Sequence, residues 1–161
     1  MGFVTAALAL FGKKPRSSGN GEDDTADASE PKSTILVIDD DPKFLETMRV
    51  LLRGAGYTVL TSSTGPKGLD MIRYAPREVR TVLLDFNMPG FNGAETLEYL
   101  RKLNPNTKVI AVSGFKVNEL PTSFQKGVER FVAKPFSNGE LLKTIAEVLG
   151  EESGAEISTS A

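Results

Sequence analysis

The chain has 161 residues, 40% hydrophobic and 25% charged, which suits one soluble domain with a proper core and some tail. A formal net charge of −2 gives no global basic field, so nucleic acid is not expected as a partner. With no cysteine and no histidine, disulfides, zinc ribbons and thiol catalysis are excluded together, and any imidazole base or phosphohistidine has to come from another molecule.

Phe3 to Phe11 is apolar but short, and Lys13, Lys14 and Arg16 follow it. A secretory signal would carry its positive charge before the apolar core, and Ala6 stands where a myristoylation signal wants Ser or Thr. Residues 1–12 are therefore expected to be a loose extension, with contact to a membrane surface or a partner by residues 3–11 as the second reading. No apolar run approaches the roughly 20 residues that cross a bilayer, so a cytoplasmic location is expected. Residues 13–32 are rich in Ser, Gly, Asp and Glu without a large apolar side chain, which predicts a flexible acidic linker that cannot repay its ordering entropy.

From there strand and helix patterns alternate five times. Ile35 to Ile38 is a continuous apolar run, as expected for a strand covered on both faces. Asp41 and Pro42 read as N-cap and first helical position, and Phe44, Leu45, Met48, Leu51 and Leu52 form the apolar stripe until Gly54 and Gly56 end the helix. Tyr57 to Thr61 is a second strand, and Thr64 to Tyr74 a weaker helix with Gly65, Pro66 and Gly68 crowding its start. Val82 to Leu84 is the third strand. It delivers Asp85 to a strand end before Met88-Pro89-Gly90 turns the chain. Asn92 with Glu95 predicts a capped helix that runs to Leu103. Lys108 to Val112 is the fourth strand, Val117 to Gln125 a fourth helix troubled by Pro121, and Phe131 to Ala133 the fifth strand. Ser137 with Glu140 predicts a capping box for a last helix to Leu149. The domain is thus expected over residues 33–149, followed by a flexible tail at 150–161.

Strand-helix alternation with short connections predicts an α/β fold, a doubly wound five-stranded parallel sheet with helices on both faces. The flavodoxin-like strand order 2-1-3-4-5 sets strands one and three side by side at the switch point, where ligands collect beyond the strand ends. Strand one ends in Asp39-Asp40-Asp41 and strand three in Asp85. Capping accounts for Asp41 and leaves Asp39 and Asp40 without a structural task. At ~4 Å each like-charged pair costs about 4 kcal/mol at an effective dielectric near 20, so something positive is expected there. An all-oxygen set of Asp39, Asp40, Asp85 and the backbone carbonyl of Asn87 suits Mg²⁺ or Mn²⁺ better than zinc. Strand four ends in Ser113-Gly114, a hydroxyl with open space beside it. Strand five ends in Lys134-Pro135, a flexible point charge. Carboxylates, a hydroxyl and an ammonium at four strand ends predict a phosphoryl site with Asp85 as nucleophile.

The segments ILVIDDDP (Ile35 to Pro42), LLDFNMPGFNG (Leu83 to Gly93), VIAVSG (Val109 to Gly114) and FVAKPF (Phe131 to Phe136) resemble the receiver domain of two-component response regulators, over about Lys32 to Leu149. The resemblance implies that Asp85 is the phosphoacceptor. Asp40, Asp85 and the Asn87 carbonyl would hold Mg²⁺ with help from Asp39, and Ser113 and Lys134 would contact the phosphoryl group. It also implies a cis peptide before Pro135 and Ser113 with residue 131 as the switch pair, where Phe131 replaces the tyrosine of many receivers. The implied partners are a histidine kinase or histidine phosphotransfer protein, and an output protein met by the fourth helix, fifth strand and fifth helix. The chain reads as a stand-alone receiver, a phosphorylation-switched regulator and not an enzyme.

Three other readings compete. A haloacid dehalogenase-type phosphatase also forms an aspartyl phosphate, but its nucleophile sits on the first strand and its acidic pair comes late. A flavin or dinucleotide binder would need a glycine-rich loop after strand one. A receiver-shaped interaction module that takes no phosphoryl group would not need the complete acidic set.

Overall fold

The computed structural model describes residues 32–151. The expected apolar extension, the linker except Lys32, and the tail from residue 152 lie outside the described residues. Five strands, β1 (Lys32–Ile38), β2 (Tyr57–Ser62), β3 (Val79–Asp85), β4 (Lys108–Ser113) and β5 (Arg130–Ala133), form one sheet in the order β2-β1-β3-β4-β5. Every pairing is parallel. The connections carry α1 (Pro42–Gly54), α2 (Gly65–Tyr74), α3 (Gly93–Leu103), α4 (Thr122–Gly127) and α5 (Asn138–Leu149). None of the described helices is long and apolar enough to cross a membrane.

Alternation along the strands divides the core into two layers. Leu36, Ile38, Val82, Leu84, Val109 and Ala111 pack with Leu69 and Ile72 of α2, Leu97 and Leu100 of α3 and Phe124 of α4. Ile35, Val37, Leu83, Ile110, Val112 and Val132 turn the other way, onto Met48 and Leu52 of α1 and Leu141 and Ile145 of α5. Each fully buried Leu or Ile contributes roughly 1.5–3 kcal/mol relative to exposure. With both faces covered, the strands read as unbroken apolar runs, and polar chemistry is left to the two edges where they begin and end.

The helix starts follow local chemistry. The Asp41 carboxylate accepts from the Lys43 amide at 2.9 Å with Pro42 in the first turn. Asn92 and Glu95 make the reciprocal capping box, at 3.0 and 2.9 Å. The Ser137 hydroxyl accepts from the Glu140 amide at 3.1 Å, but no return bond from Glu140 is formed among the described residues, so the predicted box is only half present. After α1 the chain turns through Gly56 at φ 91°, a left-handed conformation that favours glycine.

One further expectation needs correction. The predicted helix from Val117 to Gln125 is split into a 3₁₀ turn, Val117–Glu119, and the short α4, with Pro121 at its N-cap. Proline offers no amide to a continuous helix and drives the residue before it out of the α region, and Leu120 accordingly has ψ 150°. At the chain's other end Gly150 closes α5 in the left-handed region, its amide bonded to Glu147, and the Glu151 amide reaches Ala146 at 2.9 Å. The described residues thus include Gly150 and Glu151, the first two of the expected tail.

One close approach ties the fold to the end of β3. The Gly93 amide donates to the Phe86 carbonyl at 3.0 Å, and a Cβ on Gly93 would lie 2.4 Å from the Asp85 carbonyl oxygen and 2.6 Å from the Phe86 Cα. Backbone cannot yield as a side-chain tip can, so Gly93→Ala is expected to cost about 1–3 kcal/mol. Urea unfolding should show the lower midpoint, and amide shifts at Asp85 and Phe86 should report the displaced strand end.

Candidate functional site

Register places the site residues in neighbouring rows. Ile38 pairs with Leu84 and Asp85 with Val112, so Asp39 and Asp85 leave the sheet side by side. Ser113 pairs with Ala133, and the Lys134 amide extends that ladder to the Ser113 carbonyl at 2.8 Å. Asp39, Asp40 and Asp85 each bring a carboxylate oxygen within 4.8 Å of the other two. Asp39 and Asp85 are buried and Asp40 is exposed.

Lys134 reaches back over this cluster. Its Nζ lies 2.6 Å from Asp39 Oδ2 and 3.5 Å from Asp85 Oδ1, and 4.0 Å from the centroid of the Phe44 ring. Asp39 is held at both oxygens, since its Oδ1 accepts from the Asp41 amide at 2.8 Å. Burial is the largest influence on Asp85 and pushes its carboxyl above the ordinary carboxylate range; Lys134 opposes that, and Asp39 and Asp40 reinforce it. The peptide bond between Lys134 and Pro135 is cis, as the resemblance implied.

The fit to a hard divalent cation follows from donors and charge. Three carboxylates against one ammonium leave two negative charges in the cluster, the charge one Mg²⁺ or Mn²⁺ carries. Oxygen donors are what such ions prefer, and the chain has no imidazole or thiolate to offer instead.

Ser113 is fully buried, and its Oγ accepts from the Phe115 amide at 3.2 Å. No hydrogen bond joins it to Asp85 or to the Lys134 ammonium among the described residues. Asn87 is exposed just past Asp85. Phe131 is half-buried against the α2, α3 and α4 layer, away from the carboxylates. Phe86, beside Asp85, makes edge contacts with Phe115 and Phe124 at centroid distances of 6.1 and 5.0 Å.

Sequence reasoning missed two participants. Phe44 reads as one more member of the α1 stripe, and nothing in its spacing shows that its ring meets Lys134. Gly93 reads as a helix start, although its place after a turn signal hinted at a tight approach.

The family model for the response regulator receiver domain matches residues 35–146, well over half of the chain. The chain belongs to the response regulator receiver family. It is 28% identical over 121 residues to the cell cycle transcriptional regulator CtrA of Caulobacter vibrioides, covering 74% of this chain and 52% of that protein. The chain spans about half the length of the curated relatives it matches. Among solved structures it is similar to a receiver domain protein of Clostridium thermocellum, with a TM-score of 0.68 and 27% identity over 73% of this chain and 94% of the other. It is also similar to the response regulator TrrA of Thermotoga maritima in complex with Mg²⁺ and BeF, with a TM-score of 0.64 and 27% identity over 72% and 98% of the two chains. This receiver domain therefore has the flavodoxin-like sheet of its family, and the family is one of signalling regulators in two-component systems.

The raised Asp85 pKa has a consequence for stability. A carboxyl whose folded pKa lies above its unfolded value favours folding while protonated and loses that contribution as pH rises through the folded value. In divalent-free buffer at neutral pH, Asp85→Asn should therefore raise the melting temperature. The gap should close on acidification below the ordinary aspartate value, where Asp85 is neutral in both states. Thermal melts of the two chains across pH check this.

Proposed function

We propose that this receiver domain accepts a phosphoryl group on Asp85 from the phosphohistidine of a partner kinase or phosphotransfer protein, and that the modification switches its contacts with an output protein. The observation that supports this most is the convergence of Asp39, Asp40 and Asp85 within 4.8 Å under the Lys134 ammonium. In the transfer an Asp85 carboxylate oxygen attacks phosphorus, the phosphorus–nitrogen bond breaks, and the partner imidazole leaves with its electron pair. Asp85 has to be ionised to attack, and Lys134 opposes the burial that would protonate it.

Asp39, Asp40, Asp85 and the Asn87 carbonyl would hold Mg²⁺ or Mn²⁺, whose chemistry is to neutralise the carboxylates and the phosphoryl oxygens together. Lys134 follows the added charge as a mobile point charge. The Ser113 hydroxyl, which now accepts from Phe115, still has its proton to donate to a phosphoryl oxygen. Phosphorylation replaces the single charge of the Asp85 carboxylate by the roughly −1.5 to −2 of a phosphoryl group, so both groups are drawn toward Asp85 and carry the ends of β4 and β5 with them. Taking a switch from 1:99 to 99:1 needs about 5.5 kcal/mol of differential interaction, and charge-assisted contacts to Ser113 and Lys134 supply a large share of it.

Phe131 lacks the hydroxyl of a tyrosine, so any rotation it makes exchanges packing alone. The segment between Ser113 and Pro121 is the nearer route outward, leading to an output face on α4, β5 and α5. The domain also assists its own phosphoryl gain and loss, and the donor and output proteins would be met in the cytoplasm.

Incubation with acetyl phosphate and Mg²⁺ should add one phosphoryl mass to the intact chain, and Asp85→Asn should abolish that addition. Label on the Asp85→Asn chain at an undiminished level would refute the assignment. Asp40→Asn should leave the fold intact and raise the Mg²⁺ concentration needed for beryllofluoride binding by at least about tenfold, a change of about 1.4 kcal/mol, as followed by amide NMR.

A further inference from the structure

The opposite edge of the sheet, where β3 and β4 begin, has a cleft of about 310 Å³ between the turn before β3, the turn before β4 and the last turn of α5. This is the lower end of the range for small-molecule sites. Its charged lining is of one sign. Arg77, Arg80 and Lys108 border it, all three exposed, and none is within salt-bridge distance of a carboxylate among the described residues. Glu78 lies in the same turn but is not part of the lining, and Glu151 beyond α5 is engaged by the Tyr57 hydroxyl at 2.8 Å. In a chain with more acids than bases, three cations beside one cleft with no acid in its lining are, among the described residues, an uncompensated charge.

The cleft is preformed. The Asn104 side-chain amide donates to the Pro76 carbonyl at 2.8 Å, cross-linking the turns that make its two walls. The Arg101 guanidinium donates to the Thr107 carbonyl at 2.6 Å from behind. The lining also includes Val79, Val148 and Leu149, an apolar surface next to the cations, and Thr107, whose buried hydroxyl has no hydrogen-bond partner among the described residues.

We infer that this cleft binds a small organic polyanion, a molecule of nucleotide size whose phosphates or carboxylates meet Arg77, Arg80 and Lys108 while an apolar body rests on Val79, Val148 and Leu149. Arginine presents a planar fork suited to such oxygens and lysine a point charge. A pocket of this volume admits a metabolite-sized body. The inference is independent of the role of Asp85, which lies at the far ends of the same strands.

The test uses the full ¹⁵N-labelled chain in divalent-free buffer, with ADP and inorganic pyrophosphate as probes. ADP should move the amides of Arg77, Arg80, Asn106 and Lys108 saturably. The double variant Arg80→Ala/Lys108→Ala should weaken ADP by about tenfold or more with an unchanged melting temperature and an unchanged response to beryllofluoride and Mg²⁺. Arg77→Ala alone should weaken it less. Pyrophosphate, which lacks an apolar body, should bind at least about tenfold more weakly than ADP. The inference is overturned if ADP produces no saturable shifts at these amides, if the shifts survive the double variant undiminished, or if pyrophosphate binds as tightly as ADP.

Discussion

The Lys134 ammonium, set between the carboxylates of Asp39 and Asp85 at 2.6 and 3.5 Å, is the interaction on which the rest of the site depends. Two buried acids in neighbouring strands repel each other, and in a domain stable by roughly 5–15 kcal/mol that repulsion is tolerable only with a counter-charge. One ammonium offsets part of it. What remains unbalanced is an affinity for a further cation and, through it, for an anionic group that none of these acids would accept alone. The chemistry proposed for Asp85 is the relief of a conflict that the fold itself creates.

The fold can hold that conflict because the sheet is covered on both faces. Ile38 and Leu84, the residues just before Asp39 and Asp85, are fully buried, so the carboxylates start from backbone that cannot drift apart. Gly93 brings the start of α3 against the backbone of Asp85 and Phe86, and the ring of Phe44 supports Lys134 from α1. Ser113 is buried at the end of β4, next to solvent-facing chain. Its hydroxyl is tied to the Phe115 amide, and the residues that follow are exposed up to Leu120. Fixed acids beside a hydroxyl that leads directly into an exposed segment are a suitable combination for converting a local charge change into a displaced surface.

The parallel arrangement also polarises the domain. All the strand ends that carry acids fall on one edge, and Arg77, Arg80 and Lys108 gather at the other, where β3 and β4 begin. Because crossovers return every strand to the same edge, a residue's place at the start or end of its strand decides which pole it joins. The two poles share β3 and β4 as a common base and carry opposite charge.

The alternation of apolar runs and amphipathic stripes, read with Asp41-Pro42, Asn92 with Glu95, and the glycines after α1, was enough to determine the five strands, four of the five helices and the strand ends at which Asp39, Asp40, Asp85, Ser113 and Lys134 stand. These are local properties, set by side-chain period and by which backbone groups a neighbour can cap. The split of the fourth helix at Pro121 was only half legible, because a proline signals an interruption without saying whether the chain restarts after it. Only the tertiary structure decided that Lys134 takes Asp39 as its nearer partner, that Phe44 lies beneath it, that Gly93 admits no side chain, and that Arg77, Arg80 and Lys108 share one cleft. Each of those depends on distances between elements far apart in sequence, and such distances are set by register and packing, which no local pattern encodes.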